Sequence, residues 1–573
     1  MGHHNFHIVV IVLCIAICIL STHAYGAVQG RKRAMSIKVT VDLPASVPAG
    51  GFLGAIDQGT SSSRFMLFDQ SNSGSIVASA QSEFEQIFPN DSGWHEHDPE
   101  AIWDSVVRCI EAARDALLEK GNVVLADAVR CIGITNQRET TVCWNASTGK
   151  CYGNAIVWDD TRTSDIAAEM ASDHPEGQDR FRSATGLPLA SYFSGTKIRW
   201  MTEHRPEIRA ALEGDDRADV RFGTIDAWIV WKLTDGANFV TDASNASRTM
   251  LARLDAAAYD PELVAVFSHG LLEAAVHLPE IVPSVDAGAY GSVVSPRCLG
   301  GIPIAAVVGD QQAALFGQCA YGPGEAKCTY GTGMFLMMAT GLDPVPSKHG
   351  LLTTVAYSRK EGGKLQTYYA LEGSVAHCGS TIQWLRDRLE IIDDAAESSK
   401  YAAELDNNGD LYFVPAFSGL FAPYWRSDAR ACIVGMNAGH TKKHICRAAL
   451  EAPGYQSREL FDAMYKDSGR NLASLRVDGG MTASEFAMQF QADILEGDIE
   501  VIRPVVTETT AAGAAYAAGL AVGVFDGLED IRAMWGVDKT WKSKIDEKTR
   551  DKYWRGWKKA ISKSMDWKTD AED

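Results

Sequence analysis

Apolar residues fall into short runs of strand length and longer stretches with helical spacing. The runs FLGAI (52–56) and FMLF (65–68) flank a polar segment and predict a hairpin of two buried strands. IPIAAVV (302–308) predicts another buried strand, and the runs VRCIGIT, TTVCW and NAIVW predict more. DAWIVWKL predicts a helix, and a second helix is predicted from Asp98-Pro99 to Gly121. The apolar face of this second helix comprises Ile102, Val106, Ile110, Ala113 and Leu117. Strands that alternate with helices indicate an α/β protein.

One further turn repeats the plan of the first hairpin, and a third glycine turn follows it. AKCTYGTGMFLMMATG (326–341) again places a turn of glycine and threonine between two apolar strands. In LRVDGGMTASEF (475–486) a strand ends, two glycines turn the chain and a helix begins. Such a glycine pair lets a flat ring lie against the backbone, although a plain strand-to-helix turn has the same pattern. The two hairpins, in separate halves, predict two similarly built domains that face one another across a cleft.

Proline and glycine mark one boundary. PASVPAGG (44–51) is typical of a linker, so the folded body is expected to begin near Gly51. We therefore predict an N-terminal extension (1–35), an N-terminal domain (50–308), a C-terminal domain (309–530) and a C-terminal helical segment (531–573).

The N-terminal extension contains HIVVIVLCIAICIL (7–20) and, further on, a short basic stretch that includes RKR. Its apolar core of about 13 residues is short for a transmembrane helix, which needs ~20, and suits a signal peptide. The residues before that core include no lysine or arginine, and the basic stretch follows it, as in a poor signal anchor. A third interpretation is that Met35 is the true start. We expect the rest of the chain to be cytoplasmic, with membrane contact only through this segment.

Composition narrows the function classes. The 573-residue chain has a formal net charge of −19, which argues against nucleic acid as its main partner. Its length favours two or more domains, and 46% apolar residues can fill large cores. The twelve cysteines form no CxxC pair, so no structural zinc site is predicted. Cys14 and Cys18 lie in the N-terminal apolar run, and the other ten are expected to be isolated, reduced thiols.

The polar segment of the first hairpin, DQGTSSSR (57–64), has the chemistry of a phosphate loop. Gly59 allows a tight turn, and the hydroxyls and N–H groups of the following four residues can surround an anion. Arg64 adds a positive charge, and Asp57 suits a phosphate that arrives with Mg²⁺. The segment is not a Walker A loop, because no GK[ST] follows. An ordinary hairpin turn of glycine and serine is the competing interpretation.

Two other segments carry candidate substrate-binding groups. ITNQRETTVCW (134–144) places Arg138 and Glu139 between two strands, where a bend would let both side chains reach one target. Their donors and acceptor suit the hydroxyls of a polyol, although a solvated ion pair would have the same sequence. Trp158 and Phe335 could line a short carbon chain or simply pack in a core.

Asp310 is the candidate general base. It follows the strand 302–308 and precedes QAALFG, and ligands of α/β sheets gather at the carboxyl ends of strands. A carboxylate there can accept a hydroxyl proton during phosphoryl transfer. A plain helix N-cap would also place an aspartate at this position.

Taken together, these motifs resemble the FGGY family of carbohydrate kinases, and within it the members that phosphorylate glycerol. The motifs are DQGTSSSR, GITNQRETT, YFSGTKIRWM, NASRTML, GDQQAALFGQ, TYGTGMF and VDGGMTASEF. YFSGTKIRWMTEH (192–204) and ACIVGMNAGHTKKHICRAALE (431–451) resemble the two signature patterns of the family. The resemblance runs from about residue 52 to 565, and the combination of QRET with SYFSGTK is similar to the glycerol-specific members.

The resemblance implies the actin and sugar-kinase fold, with two ribonuclease-H-like domains that flank an ATP cleft. The implied reaction is ATP-dependent phosphorylation of glycerol to sn-glycerol 3-phosphate, the entry step of glycerol catabolism, by an enzyme that is a homo-oligomer. Alternatives are a kinase for another short polyol or ketose, or a catalytically inactive nucleotide-binding regulator. Asp310 would be the base. The implied glycerol site comprises Arg138, Glu139, Tyr192, Asp310 and Gln311, with Trp158 and Phe335 on the carbons. The implied ATP site comprises Thr60, Ser61, Ser62, Arg64, Thr332, Gly379, Gln383, Gly480 and Ser484, with Mg²⁺ near Asp57.

The sequence departs from the family pattern in three segments. Ser484 stands where the family usually has asparagine, and because serine has no amide, a weaker adenosine contact is expected. Pro453 and Gly454 lie where the family has an unbroken helix, and they are expected to kink that helix or delay its start. Gly301 replaces an arginine found in many bacterial members, so regulation by a sugar bisphosphate through this loop is not expected.

Overall fold

A computed structural model describes residues 37–89, 93–255, 257–497 and 499–567 of the chain. The hypotheses about a signal peptide, a membrane anchor or a start at Met35 concern residues outside these ranges. Within these ranges, none of the helices combines the length and the apolar character needed to cross a bilayer.

Strands and helices alternate through most of the described chain. The strands are β1 (Lys38–Val41), β2 (Phe52–Gln58), β3 (Ser62–Asp69), β4 (Ser75–Glu83), β5 (Glu96–His97), β6 (Val129–Asn136), β7 (Thr141–Asn145), β8 (Ala155–Ile156), β9 (Val220–Thr224), β10 (Val240–Asp242), β11 (Ala252–Arg253), β12 (Ala258–Tyr259), β13 (Glu280–Val282), β14 (Ile304–Gly309), β15 (Ala326–Tyr330), β16 (Met334–Gly341), β17 (Leu352–Glu361), β18 (Lys364–Val375), β19 (Tyr412–Val414), β20 (Cys432–Val434), β21 (Ser474–Asp478), β22 (Glu500–Pro504) and β23 (Val537–Trp541). The helices are α1 (Pro99–Gly121), α2 (Leu125–Ala128), α3 (Ser164–Ser172), α4 (Arg182–Thr185), α5 (Ser194–His204), α6 (Pro206–Glu213), α7 (Ile225–Leu233), α8 (Ala243–Ala246), α9 (Pro261–Ser268), α10 (Ala274–His277), α11 (Asp310–Gly317), α12 (Gly379–Asp387), α13 (Ala395–Ala403), α14 (Lys442–Ser468), α15 (Glu485–Ile494), α16 (Thr509–Ala521), α17 (Leu528–Met534) and α18 (Glu547–Ser564).

Two large sheets share one plan, as the two hairpins predicted. In the N-terminal sheet the order is β1-β4-β3-β2-β6-β14, with β2, β3 and β4 antiparallel and β2, β6 and β14 parallel. In the C-terminal sheet the order is β17-β18-β16-β15-β21-β22-β23, again an antiparallel set followed by parallel strands β15, β21 and β22. The two-domain α/β architecture is therefore confirmed.

Helices α11 and α16 connect the two sheets. They cross so closely that a β-carbon at Gly513 would lie 1.9 Å from the carbonyl oxygen of Ala313, so only glycine fits there. The hydrophobic cluster around these helices includes Leu53 of the N-terminal sheet and Met337 and Ala370 of the C-terminal sheet. The two halves are thus packed on a common pair of helices.

The start of the folded body differs from the expectation. The N-terminal sheet begins with β1, not near Gly51, because β1 pairs with β4 in antiparallel register from Lys38↔Gln81 to Val41↔Ala78. Val41, Leu43 and Val47 pack against the core of this half. The proline and glycine of residues 44–51 form a turn within the domain, which a composition signal cannot distinguish from a linker.

Two expectations for the C-terminal half also need correction. Residues 531–573 are not purely helical, because β23 pairs with β22 and extends the C-terminal sheet. Helix α14 starts at Lys442 and runs through Pro453, so a delayed start is excluded and the alternative, a kink at Pro453, stays a prediction. Gly454 packs there against α15, where a β-carbon would lie 2.9 Å from Phe490 Cδ1. Close packing of α14 against α15 therefore accounts for the glycine.

Candidate active site

Three neighbouring parallel strands end level with one another at one edge of the N-terminal sheet. Gln58 at the end of β2 is in register with Asn136 of β6, which is in register with Gly309 of β14. The segments that follow these strands are the polar turn 59–61, the pair Arg138-Glu139 and Asp310. The parallel topology therefore brings together three segments that lie about 80 to 250 residues apart in the sequence, at the sheet edge where α/β proteins bind ligands.

The first turn is compact and partly open. Gly59 N–H donates to the Ser62 carbonyl at 2.9 Å, which closes the turn, and Ser61 is exposed at its tip. Thr60 is half-buried, and Trp158 Nε1 donates to its hydroxyl at 2.9 Å. The Ser62 hydroxyl accepts from Gln81 Nε2 at 3.0 Å. Thr60, Ser61 and Ser62 thus lie together, as expected for an anion-binding turn.

Asp57 and Arg64 face each other across the hairpin. Arg64 Nη1 donates to Asp57 Oδ2 at 3.4 Å and to Glu508 Oε2 at 3.0 Å, which links the turn to the segment preceding α16. Asp57 is buried, and this burial raises its pKa to about 6 despite the nearby guanidinium. A carboxylate that is held in this way is readily stabilised by an added cation.

The second turn and the glycine pair also meet, in the C-terminal half. Thr329 of β15 is in register with Asp478 of β21, so the segments after these strands leave the sheet together. Thr332 is exposed, and its carbonyl accepts from the Cys378 N–H at 2.8 Å at the start of α12. Around Gly480 the space that a β-carbon would occupy is open, which leaves room for a ring against the backbone.

The other predicted nucleotide-binding residues lie on the helices beside these turns. Gly379 N–H donates to the Gly331 carbonyl at 2.9 Å, a contact so close that a β-carbon would lie 2.6 Å from that oxygen. Gln383 is exposed on α12. Ser484 is the N-cap of α15, where its hydroxyl accepts from Ala487 N–H at 3.2 Å and pairs with the Ser399 hydroxyl at 2.7 Å. Its role as the helix N-cap therefore explains why a serine is suitable at position 484.

The chain bends at Arg138-Glu139, which is the condition for both side chains to reach one target. Glu139 has a φ of 60°, in the left-handed region that non-glycine residues seldom adopt, and this conformation redirects its side chain. Arg138 Nε lies 3.0 Å from Asp310 Oδ1, and both Arg138 and Glu139 are buried. The solvated ion pair considered above is therefore excluded.

Sequence reasoning missed two members of this buried group, Arg248 and Glu372. Arg248 Nε donates to Glu139 Oε1 at 2.6 Å, and Arg138 Nη1 donates to Glu372 Oε2 at 2.5 Å. Although burial opposes ionisation, the two guanidinium groups hold the pKa of Glu372 down to about 2. For Glu139 burial prevails, so its pKa is raised. Signals were available, since Arg248 belongs to NASRTML and Glu372 is a lone acid in the run YYALEGSV.

Three aromatic rings stand beside these charges. Trp158 makes edge contacts with Tyr192, with 5.6 Å between ring centroids, and with Phe335, with 5.9 Å. The ring of Tyr192 also lies 5.7 Å from the Arg248 guanidinium carbon. Trp158 comes from the N-terminal half and Phe335 from the C-terminal half, so the aromatic group spans the boundary between them.

Asp310 and Gln311 begin helix α11. The N-cap is Gly309, so Asp310 is not the cap itself, and its Oδ1 accepts from the Gln311 N–H at 2.7 Å. Gln311 Oε1 accepts from Lys327 Nζ, a further residue that sequence reasoning missed. Lys327 is fully buried on β15, and burial lowers its pKa. Its signal was a single charge inside an otherwise apolar strand.

Comparisons with known proteins agree with this geometry. Residues 52–317 match the model of the FGGY family of carbohydrate kinases, N-terminal domain, and residues 326–522 match the C-terminal domain model of that family. A glycerol kinase from Roseiflexus sp. (strain RS-1) is 50% identical over 519 residues, 90% of this chain and 99% of that protein. A glycerol kinase from Chloroflexus aggregans is 51% identical over the same shares of the two chains.

Solved structures give the same picture. The crystal structure of Plasmodium falciparum glycerol kinase with ADP superposes with a TM-score of 0.79 at 37% identity, covering 90% of this chain and 98% of that one. A ligand-bound xylulose kinase from Lactobacillus acidophilus has a TM-score of 0.74 at 20% identity, covering 90% of this chain and 99% of that one. At that identity the second likeness concerns the fold alone.

Proposed function

This chain belongs to the FGGY family of carbohydrate kinases, and from that premise we propose that it transfers the γ-phosphoryl group of ATP to glycerol, forming sn-glycerol 3-phosphate. The proposal is supported by the relatives that are about half identical over nearly their whole length and are glycerol kinases. The observation that carries it is the level ending of β2, β6 and β14, which groups the first turn, Arg138-Glu139 and Asp310.

Asp310 acts as the general base in this proposal. Its side chain is 26% exposed, whereas Arg138 beside it is 2% exposed, so the carboxylate is the member of the pair that faces the cleft. The Arg138 guanidinium and the Gln311 N–H fix its Oδ1, which leaves Oδ2 to accept the proton of the attacking hydroxyl. Because phosphoryl transfer has a loose transition state, orienting that hydroxyl matters as much as removing its proton.

Glycerol would bind between the charged group and the aromatic rings. Donors and acceptors for its hydroxyls come from polar side chains, and the rings contact its carbons. The polar set is Arg138, Glu139, Tyr192, Asp310 and Gln311, and the apolar set is Trp158 and Phe335. The Arg138-Glu139 pair, which offers donors and an acceptor to neighbouring hydroxyls, favours a short polyol over a ketose.

ATP would lie across the two turns. Its phosphates would contact Thr60, Ser61, Ser62, Arg64 and Thr332, and its adenosine would contact Gly379, Gln383, Gly480 and Ser484. The carboxylate of Asp57 fits a Mg²⁺ ion, since Mg²⁺ takes few protein carboxylates and otherwise phosphate and water oxygens. Within the described ranges no group of three acidic, histidine or cysteine ligands is present, which suits an ion that arrives on the nucleotide. Such an ion neutralises phosphate charge during transfer.

We place the catalytic body in the cytoplasm and expect a homo-oligomer, the latter from the family resemblance. The ten described cysteines carry free thiols, which suits a reducing compartment. Light scattering of the purified chain measures its mass in solution, and an N-terminal reporter fusion tests where residues 1–40 direct it.

The decisive test is ADP formation by residues 35–573 in the presence and absence of glycerol. We expect glycerol-dependent turnover that requires Mg²⁺ and yields sn-glycerol 3-phosphate, with weak activity on xylulose and gluconate. If the chain prefers a ketose, the proposed substrate is wrong and the ketose takes its place. Nucleotide binding without turnover of any polyol would instead favour the regulatory alternative.

A further inference from the structure

Glu372 belongs to the C-terminal half of the molecule, and its arginine partners belong to the N-terminal half. It lies on β18 of the C-terminal sheet and is fully buried. Its carboxylate accepts from Arg138 Nη1 at 2.5 Å and Nη2 at 3.0 Å, and from Arg248 Nη2 at 3.2 Å. Both arginines belong to the N-terminal half, at the end of β6 and just after α8. The Ser374 hydroxyl completes the site at 2.9 Å.

These groups form a chain of alternating charge. Asp310 pairs with Arg138, Arg138 with Glu372, Glu372 with Arg248, and Arg248 with Glu139. In these four ion pairs the nitrogen and oxygen atoms lie 3.0, 2.5, 3.2 and 2.6 Å apart. Glu372 is the central member, and the two outer members are carboxylates that the proposed function assigns to the substrate.

The donors of Arg138 are almost fully engaged without any substrate. A guanidinium has five N–H groups. Nη1 donates to Glu372 and Gln312, one N–H of Nη2 donates to Glu372, and Nε forms an ion pair with Asp310 at 3.0 Å. The second N–H of Nη2 is left for a substrate hydroxyl. The bidentate pair with Glu372 therefore sets the plane of the guanidinium, and with it the direction of that last donor.

Arg248 is held in a similar way. Its Nε and Nη2 are paired, whereas its buried Nη1 has no hydrogen-bond partner within the described ranges. An unsatisfied buried donor is unfavourable, so stability alone does not account for a guanidinium here. It does orient Glu139, whose backbone already adopts an uncommon conformation.

We propose that Glu372 is a positioning residue for the substrate site, acting through Arg138 and Arg248. Resting on the proposed function, this assignment means that the half carrying the second turn sets the geometry of substrate-binding groups on the other half. An ion pair that merely joined the halves would affect both substrates alike. If Glu372 positions the substrate-binding groups, its loss should raise the glycerol KM more than the ATP KM.

The test compares full-length wild-type protein with Glu372→Gln, Glu372→Asp and Glu451→Gln. Glu451 is a matched control, because it is also buried in the C-terminal half and paired with an arginine, Arg447. Initial rates at varied concentrations of both substrates, calorimetric titration with glycerol, and the melting temperature are measured for each protein.

Glu372→Gln keeps the shape of the side chain but removes its charge, and we expect the glycerol KM to rise roughly 10-fold or more. The ATP KM should stay within about twofold.

The outcomes separate the possibilities. Glu372→Asp keeps the charge on a shorter stem, so an intermediate rise in glycerol KM supports the proposal. Glu451→Gln should leave the glycerol KM unchanged, and its melting temperature shows whether the variant folds. An unchanged glycerol KM in Glu372→Gln, or equal rises for glycerol and ATP, overturns it. If Glu372→Gln does not fold, an unchanged glycerol KM in Glu372→Asp overturns the proposal instead. A wild-type chain that binds glycerol without turning it over refutes the proposed function alone, and titration still decides the role of Glu372. Absence of glycerol binding by wild type refutes both.

Discussion

Exposure distinguishes the carboxylates at the scale of single residues. The side chain of Asp310 is 26% exposed, whereas those of Glu139 and Glu372 are 2% and 0% exposed. In the proposed function a base has to reach the attacking hydroxyl, which suits Asp310, whereas Glu372 only orients two arginines and is best kept away from water. The difference in exposure therefore supports the proposed assignment of Asp310 as the reacting group.

Asp310→Asn tests this division of roles. The amide keeps the shape but cannot take a proton, so we expect kcat to fall by about 10²–10⁴. Nucleotide binding should persist, because its predicted contacts lie on the two turns. Steady-state rates and ADP titration measure the two effects. Near-normal kcat would contradict the assignment.

Asp57 predicts a dependence of stability on pH. Its pKa rises from an ordinary 3.8 to about 6 in the folded state, so folding takes up a proton between these values. Stability from this group is complete below about pH 4 and is lost as the pH rises through about 6. At ~1.4 kcal/mol per pKa unit, the loss is about 3 kcal/mol.

Asp57→Asn removes this loss. We expect the variant to exceed wild type in free energy of unfolding by up to about 3 kcal/mol at pH 7.5, and to be no more stable at pH 4. Urea unfolding at both values measures this. If Asp57 holds Mg²⁺, the more stable variant should also need more Mg²⁺ for turnover. Equal stability of the two proteins at pH 7.5 would contradict the burial argument.

At the scale of elements, the sequence predicted what local patterns encode. Both hairpins, the strand 302–308 and the helix ending at Gly121 are present, because each carries its own periodicity or cap. β1 was missed because the proline-rich turn after it hides a strand that depends on pairing with β4. Glu372 was missed because its function depends on two arginines more than 120 residues away, and strand periodicity does not encode such contacts.

Strand β1 provides a prediction at this scale. A chain that starts at Met35 keeps β1, whereas one that starts at Gly51 loses it and the packing of Val41, Leu43 and Val47. Loss of these partly buried side chains should lower the free energy of unfolding by roughly 2–4 kcal/mol. It also exposes the edge of β4 to association with other chains.

Denaturant unfolding and light scattering compare the two chains. The chain from Met35 is the control and should retain full stability and activity. Equal stability of both chains would mean that β1 contributes nothing to the N-terminal sheet.

At the scale of the whole molecule, the two halves share helices α11 and α16, the Glu372 charge chain and the Arg64–Glu508 pair. Ligands that bind on opposite halves should therefore influence one another. We expect glycerol and ADP together to raise the melting temperature by more than the sum of their separate effects. The coupling should be about 1–3 kcal/mol, typical of linked sites.

Thermal unfolding with each ligand and with both measures this coupling. At ~100 times its dissociation constant, each ligand alone adds about 2.7 kcal/mol, which sets the baseline for additivity. Glu372→Gln should reduce the excess over additivity, and Glu451→Gln should leave it intact. Strict additivity in wild type would show that the halves respond independently.

The alternating charges also constrain how this site can change during evolution. Removing one member leaves its neighbour buried without a counter-charge, a loss of about 3–5 kcal/mol, whereas replacing an oppositely charged pair by apolar residues is close to neutral. Arg248 and Glu139 form the end of this charge chain, so lineages that shorten it should lose these two residues together. Proteins that keep only one of the two should be rare, because the remaining charge would be buried without a partner and would make them unstable.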